Sequence, residues 1–69
     1  MIMEEIKEMA NNRPEDWRYG QAIFNYAYQL YPKETNELRG SEFDCFYRND
    51  LVEIFLEKLN EKLEKLENI

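Results

Sequence analysis

The fold is decided by residues 17–31, which read WRYGQAIFNYAYQLY. When this stretch is wound as an α-helix, one stripe along it contains four apolar residues, Tyr19, Ile23, Tyr26 and Leu30. A neighbouring stripe contains four more, Trp17, Phe24, Ala27 and Tyr31. Aromatic residues also favour strands, but the alternation of a strand is absent. A helix that is apolar over so wide an arc must be covered by other helices, so we predict that it lies at the centre of the fold.

Proline residues predict both ends of this central helix. Pro14 suits a first helical turn, and Glu15 and Asp16 place negative charge beside the positive end of the helix. Pro32 ends the helix, because the residue before a proline is pushed away from helical angles.

Three further segments are predicted to be helical: residues 2–11, Lys33–Arg39 and a last helix from Asn49 to about residue 67. Gly40 is predicted to end the helix over Lys33–Arg39, because glycine readily adopts the left-handed backbone geometry found after a helix. Residues 41–44 are predicted to form a capping box before a turn that buries four residues: Phe43, Cys45, Phe46 and Tyr47. The fold class is therefore all-α, a small bundle of three main helices and one short helix. We expect one domain, 1–69, with a core bundle over 1–56 and a helical extension over 57–69.

The core of this bundle is predicted to draw on every segment. Its expected members are Ile6, Met9, Trp17, Ile23, Phe24, Ala27, Leu30, Leu38, Phe43, Phe46, Val52, Phe55 and Leu56.

Charge and length exclude several classes of protein. With 15 acidic and 9 basic residues among 69, the net charge is −6, which opposes binding to nucleic acid or anionic lipid. A basic protein partner is electrostatically favoured. The first eight residues have no basic start and no apolar run, so we expect no signal peptide. The sequence contains no run of 18 apolar residues, so we also expect no membrane-spanning segment. The single cysteine, Cys45, suits a reducing cytoplasm.

The chain offers few side chains for catalysis. It has no histidine, so neither a zinc site nor a base that activates Cys45 can be assembled from the usual residues. Gly20 and Gly40 stand alone and form no phosphate-binding loop. We therefore predict no catalytic, metal or cofactor site.

The last helix thins to a narrow leucine stripe. Leu59, Leu63 and Leu66 continue a 4-3-4-3 spacing from Val52 and Leu56. One interpretation is a homodimer through these leucines, with Lys62 and Glu67 facing each other across it. The other is that the tail folds over the first segment of its own chain. The opposite face carries four acidic residues, Glu53, Glu57, Glu61 and Glu64.

A polar strip interrupts the aromatic central helix at Arg18, Gln21 and Asn25. In one interpretation Gln21 and Asn25 hydrogen-bond to the backbone of residues 39–47, while Arg39 pairs with Asp44. In the other, the strip recognises a partner and is flanked by three residues of a type enriched at binding hot spots, Tyr19, Tyr26 and Tyr28. Gly20 costs a helix interior about 1 kcal/mol, which indicates close packing by a neighbour or a partner.

Residues of this region also carry a resemblance. The pattern Arg18-x-Gly20-Gln21-Ala22-x-Phe24-Asn25, Arg39-Gly40 and Asp44-x-Phe46-Tyr47 resembles short uncharacterised open reading frames of phages and mobile elements. The resemblance spans roughly residues 14–56 and brings no activity with it.

Taken together, these features predict a non-enzymatic protein-interaction module that associates with itself through its C-terminal helix. One alternative, suggested by the phage-like pattern, is an acidic inhibitor of a host defence or nucleic-acid-binding protein. The other is a structural domain with no partner but itself.

Overall fold

Residues 2–67 form four α-helices. The computed structural model describes residues 2–67, with side chains from Met3 to Lys65. The helices are α1 (Ile2–Asn11), α2 (Tyr19–Leu30), α3 (Pro32–Leu38) and α4 (Val52–Glu67), and a 3₁₀ turn at Asn49–Leu51 leads into α4. Residues 2–67 contain no strand. The predicted all-α bundle of three main helices and a short one is confirmed.

Helix α2 lies at the centre, as its wide apolar arc predicts. It packs against α1, α3 and the 3₁₀ turn, and α4 packs against α3 and α1. The buried residues of α2 are Gly20, Ala22, Ile23, Phe24 and Ala27. Burial of apolar side chains from all four helices supplies the main stabilising free energy of the fold.

Most of the predicted core is buried. Eight members have less than 9% of their surface exposed: Ile6, Ile23, Phe24, Ala27, Leu38, Val52, Phe55 and Leu56. The other five are half-buried: Met9, Trp17, Leu30, Phe43 and Phe46. The core also includes residues that were not expected there, among them Met3, Ala10, Ala22, Leu59 and Leu63. The core therefore continues past residue 56 into the predicted extension.

The predicted start of the central helix is wrong by five residues. Pro14 begins a turn, in which the Trp17 amide donates to the Pro14 carbonyl at 3.1 Å, and α2 begins only at Tyr19. The Arg13 guanidinium holds this turn, since its Nε donates to the Trp17 carbonyl at 2.9 Å and its Nη1 to the Ala10 carbonyl at 3.0 Å. These bonds fold the chain back between α1 and α2.

Residues 39–48 form an ordered loop rather than a capped helix start. Gly40 has φ +74°, which confirms the left-handed glycine at the end of α3. The predicted capping box is wrong, because the Ser41 hydroxyl accepts from the Phe43 amide at 3.2 Å and no helix follows. Cys45 is fully buried as predicted, but Tyr47 is 80% exposed, so its predicted burial is wrong.

Candidate functional site

The start of α2 is locked against the loop that precedes α4. The Gly20 amide donates to Asn49 Oδ1 at 2.8 Å, and the Cys45 thiol donates to the Gly20 carbonyl at 3.3 Å. Asn49 thus caps a free amide of the first helical turn from a distant part of the chain. A Cβ on Gly20 would collide with the Cys45 carbonyl oxygen. The close packing predicted at Gly20 therefore comes from the chain itself.

The three residues of the predicted recognition strip, Arg18, Gln21 and Asn25, make different contacts in the structure. Gln21 Oε1 accepts from the Arg18 amide at 3.2 Å, so Gln21 caps its own helix. Asn25 is half-buried, and no hydrogen bond of its side chain is found among the described residues. Arg18 instead reaches the loop, where its Nη2 donates to the Phe46 carbonyl at 3.2 Å.

The alternative structural interpretation of this strip is also wrong in its contacts. Gln21 bonds to Arg18 and not to the backbone of residues 39–47. Arg39 forms no ion pair with Asp44, and its Nε donates to Asn36 Oδ1 at 3.1 Å. Asp44 accepts from the Gly40 amide at 2.7 Å and from the Phe46 amide at 2.9 Å, so both of its oxygens cap the loop backbone.

Two arginines and four aromatic rings form a continuous surface, which we call the arginine–aromatic ladder. Its members are Arg18, Phe24, Tyr28, Arg39, Phe46 and Tyr47. The Arg39 guanidinium lies 5.1 Å from the Phe24 ring centroid and 5.4 Å from that of Tyr28. The Arg18 guanidinium lies 5.6 Å from the Phe46 ring centroid and 5.3 Å from that of Tyr47.

Ring contacts join the two halves of the ladder. Phe24 and Phe46 meet edge to face with centroids 5.8 Å apart, and Phe46 and Tyr47 do the same at 4.8 Å. Phe24 is 2% exposed and anchors the ladder in the core, whereas Tyr28 and Tyr47 are exposed at 42% and 80%. Guanidinium groups held over ring faces keep their charge while losing little further freedom on binding.

The two ladder arginines form no ion pair among the described residues. Four other cations of the chain pair with carboxylates: Lys7 with Glu53, Arg48 with Asp50, Lys58 with Glu61 and Lys62 with Glu37. Asp44, an acid of the same loop, accepts hydrogen bonds from the Gly40 and Phe46 amides. The six ladder residues therefore include two positive charges and no carboxylate.

A shallow groove of about 250 Å³ opens beside the ladder. It is lined by Phe24, Arg39, Gly40, Asp44, Phe46 and Tyr47. This volume lies below the roughly 300–1,000 Å³ of small-molecule sites, which suits one side chain of a partner better than a metabolite.

Sequence reasoning singled out Arg18 but gave no binding role to Arg39, Phe46 or Tyr47. The sequence pattern that was noted does contain Arg39 and the Asp44-x-Phe46-Tyr47 run, but it assigned them no role. The missing information was tertiary, since only the folded loop brings these residues against α2.

The predicted acidic face of α4 is exposed but partly neutralised. Glu53 pairs with Lys7 at 3.1 Å and Glu61 with Lys58 at 3.4 Å. Glu64 accepts from the Asn60 amide group at 3.0 Å. Glu57 is exposed and has no ion pair within the part of the chain that the structure describes. The face therefore carries less free charge than the sequence suggests.

Two of the three residues of the leucine stripe, Leu59 and Leu63, lie in the core of their own chain. Leu59 is fully buried and Leu63 is 8% exposed, so both are covered within their own chain, as one of the two interpretations expects. Lys62 of α4 forms an ion pair with Glu37 of α3 at 3.3 Å, which is a further contact between these two helices. The side chains of Leu66 and Glu67 lie outside the described residues. Pairing of two chains through this helix stays a prediction.

Cys45 is held as a neutral thiol. Burial, together with the charge of neighbouring Asp44, raises the pKa of Cys45 from 9.0 to about 12. A thiol with so high a pKa has almost no thiolate at neutral pH and is a poor nucleophile. Among residues 2–67 the structure shows no group of three or more metal-ligating residues, and none of the described helices could cross a membrane.

Comparison with models of protein families, with curated proteins and with solved structures finds no match to this chain.

Proposed function

We propose that this chain is a non-enzymatic protein-interaction module and that the arginine–aromatic ladder is its binding surface. The observation that carries the proposal is the pair of guanidinium groups, each stacked on two rings and neither paired with a carboxylate of the described chain. Tyrosine and arginine are enriched among the residues that dominate binding free energies at protein interfaces.

The construction of the ladder supports this role. A single exposed aromatic side chain is common on soluble proteins and does not indicate a binding site, whereas a connected set of rings and guanidinium groups is unusual. The ladder includes Phe24, which is buried in the core, and residues of a loop in which the side chains of Ser41 and Asp44 form four hydrogen bonds to the backbone. A rigid surface loses little conformational entropy when a partner binds.

The two other predicted interaction modes have weaker support. Self-association through the C-terminal helix would have to proceed with Leu59 and Leu63 already covered. Inhibition of a basic host protein would use the acidic face of α4, whose Glu53 and Glu61 are paired within the chain. A cytoplasmic location suits the free thiol of Cys45. These stay predictions.

Selection from a random peptide library tests the proposal. Peptides of about twelve residues are displayed and enriched on the immobilised full chain, and the enriched peptides are then measured against two double variants. Arg18→Gln/Arg39→Gln removes two positive charges from the ladder. Lys33→Gln/Lys65→Gln removes two charges from exposed residues elsewhere and is the matched control.

We expect enriched peptides to lose at least tenfold in affinity for the ladder variant and less than threefold for the control. Far-UV circular dichroism of both variants checks that they fold. A library that yields no enriched peptide, or peptides that bind both variants as tightly as the wild type, would contradict the proposal.

A further inference from the structure

The ladder arginines have hydrogen-bonding capacity that the chain does not use. A guanidinium has five N–H donors. Arg18 uses one of them on the Phe46 carbonyl, and Arg39 uses one on Asn36 Oδ1. The remaining donors of these two exposed residues have no partner among the described residues. A fork of such donors matches the two oxygens of a carboxylate.

The carboxylates near the ladder bind other groups of the chain and not the guanidinium donors of Arg18 and Arg39. Asp44 lines the same groove, yet its oxygens accept from the Gly40 and Phe46 amides. Arg48 follows the ladder directly in sequence and is bound by Asp50 at 2.7 Å, so it is already neutralised. Within the ladder, the positive charge that remains for a partner is carried by Arg18 and Arg39.

We infer that the ladder binds an acidic linear segment of a partner protein, with an apolar side chain in the groove and flanking Asp or Glu carboxylates on Arg18 and Arg39. This inference rests on the proposed function and names its partner class. Charge complementarity selects the acids, and the groove of about 250 Å³ between Phe24, Phe46 and Tyr47 accommodates one apolar side chain.

The net charge of −6 does not oppose such a contact strongly. Charges separated by more than about 8 Å are largely screened at physiological ionic strength, whereas the guanidinium groups act at hydrogen-bonding distance. Nucleic acid meets the same two arginines but also needs a wider basic surface to neutralise successive phosphates, which the described chain does not provide.

Synthetic peptides test this partner chemistry. The probe is a capped peptide with the core Asp-Asp-Phe-Asp-Asp between Gly-Ser flanks, measured by calorimetry or fluorescence anisotropy against the full chain. Its controls are the neutral isostere Asn-Asn-Phe-Asn-Asn, the groove control Asp-Asp-Ala-Asp-Asp and the reversed charge Lys-Lys-Phe-Lys-Lys. An oligothymidylate of the same charge as the acidic peptide represents nucleic acid.

We expect the acidic peptide to bind at least tenfold more tightly than its neutral and lysine counterparts, and several-fold more tightly than the alanine-centred peptide. Arg18→Gln/Arg39→Gln should lose at least tenfold, and Lys33→Gln/Lys65→Gln less than threefold. Binding of the lysine peptide or of oligothymidylate as tightly as the acidic peptide would overturn the inference.

Two further measurements keep the test decisive. If the ladder variant fails to fold, the wild-type Nε–H signals of Arg18 and Arg39 are followed by NMR during the titration, and unchanged signals at saturation overturn the inference. If library peptides need the ladder but the acidic peptide does not bind, the partner class is wrong while the proposed function stands.

Discussion

Replacing Gly20 by alanine tests the contact that joins α2 to the loop before α4. The new Cβ would overlap the Cys45 carbonyl oxygen and would lie 3.0 Å from Asn49 Oδ1 and 3.3 Å from the Arg48 carbonyl oxygen. Two of these three atoms belong to the backbone, so the loop must move to admit the methyl group.

The expected change in the free energy of unfolding follows from three contributions. Overpacking costs about 1–3 kcal/mol. Displacing Asn49 from the Gly20 amide, at present a 2.8 Å hydrogen bond, costs about 1 kcal/mol more. Alanine returns at most about 1 kcal/mol through its better helix propensity. We therefore expect Gly20→Ala to destabilise the chain by about 2–3 kcal/mol.

Urea and thermal unfolding followed by circular dichroism at about 222 nm measure this change. A domain of this size loses about 4–8 °C of melting temperature per kcal/mol, so the expected fall is on the order of 10–20 °C. Gly40→Ala is the control, because its Cβ meets open space and only the left-handed φ of +74° costs about 1–2 kcal/mol. A Gly20→Ala variant as stable as the wild type would refute the close approach.

Three further substitutions test other parts of the fold. Thr35 is fully buried and its hydroxyl has no hydrogen-bond partner among the described residues, so Thr35→Val should raise the free energy of unfolding by about 1 kcal/mol; a lower urea midpoint would contradict this. Leu59→Ala should lower the free energy of unfolding by about 2–5 kcal/mol at a protein concentration where the chain is monomeric. A loss of stability that appears only at concentrations where chains associate would instead place Leu59 in a dimer interface. Because the folded thiol of Cys45 has a pKa of about 12 against 9.0 when unfolded, the unfolded state releases the proton first, and stability should fall by about 1.4 kcal/mol per pH unit above pH 9. Cys45→Ala should lack this part of the slope between pH 9 and 10.5, and identical slopes for the two proteins would contradict the burial of the thiol.

Periodic apolar residues were enough to predict the helices. The first segment was predicted over 2–11 and is helical over Ile2–Asn11, and Gly40 ends α3 as its sequence position indicates. These features depend on residues close together in the chain, where spacing and local backbone preference decide the structure.

Features that depend on distant residues were not predicted correctly. The helix α2 begins at Tyr19 instead of Pro14, and its Gly20 amide is capped by Asn49, 29 residues further along the chain. The leucine stripe of α4 has the same spacing whether it covers its own core or another chain, so sequence alone left both open. The structure places Leu59 in the core.

The candidate site shows the same limit. Arg18 was picked out by its place on an aromatic helix, but its ring partners Phe46 and Tyr47 lie 28 and more residues away. Tyr47 was predicted to be buried by the turn together with Phe43, Cys45 and Phe46, but it is 80% exposed. No local pattern encodes which arginine will lie over which ring.

The central claim is that this chain binds its partner through the arginine–aromatic ladder. The most direct measurement is an NMR titration of the ¹⁵N-labelled full chain with the tightest peptide from the random library, in which every backbone amide and arginine Nε–H is observed together. The claim predicts that the largest shift changes fall on Arg18, Arg39 and the amides of residues 44–47. Largest changes on the exposed face of α4 or on α1, with the ladder signals unmoved at saturation, would contradict it.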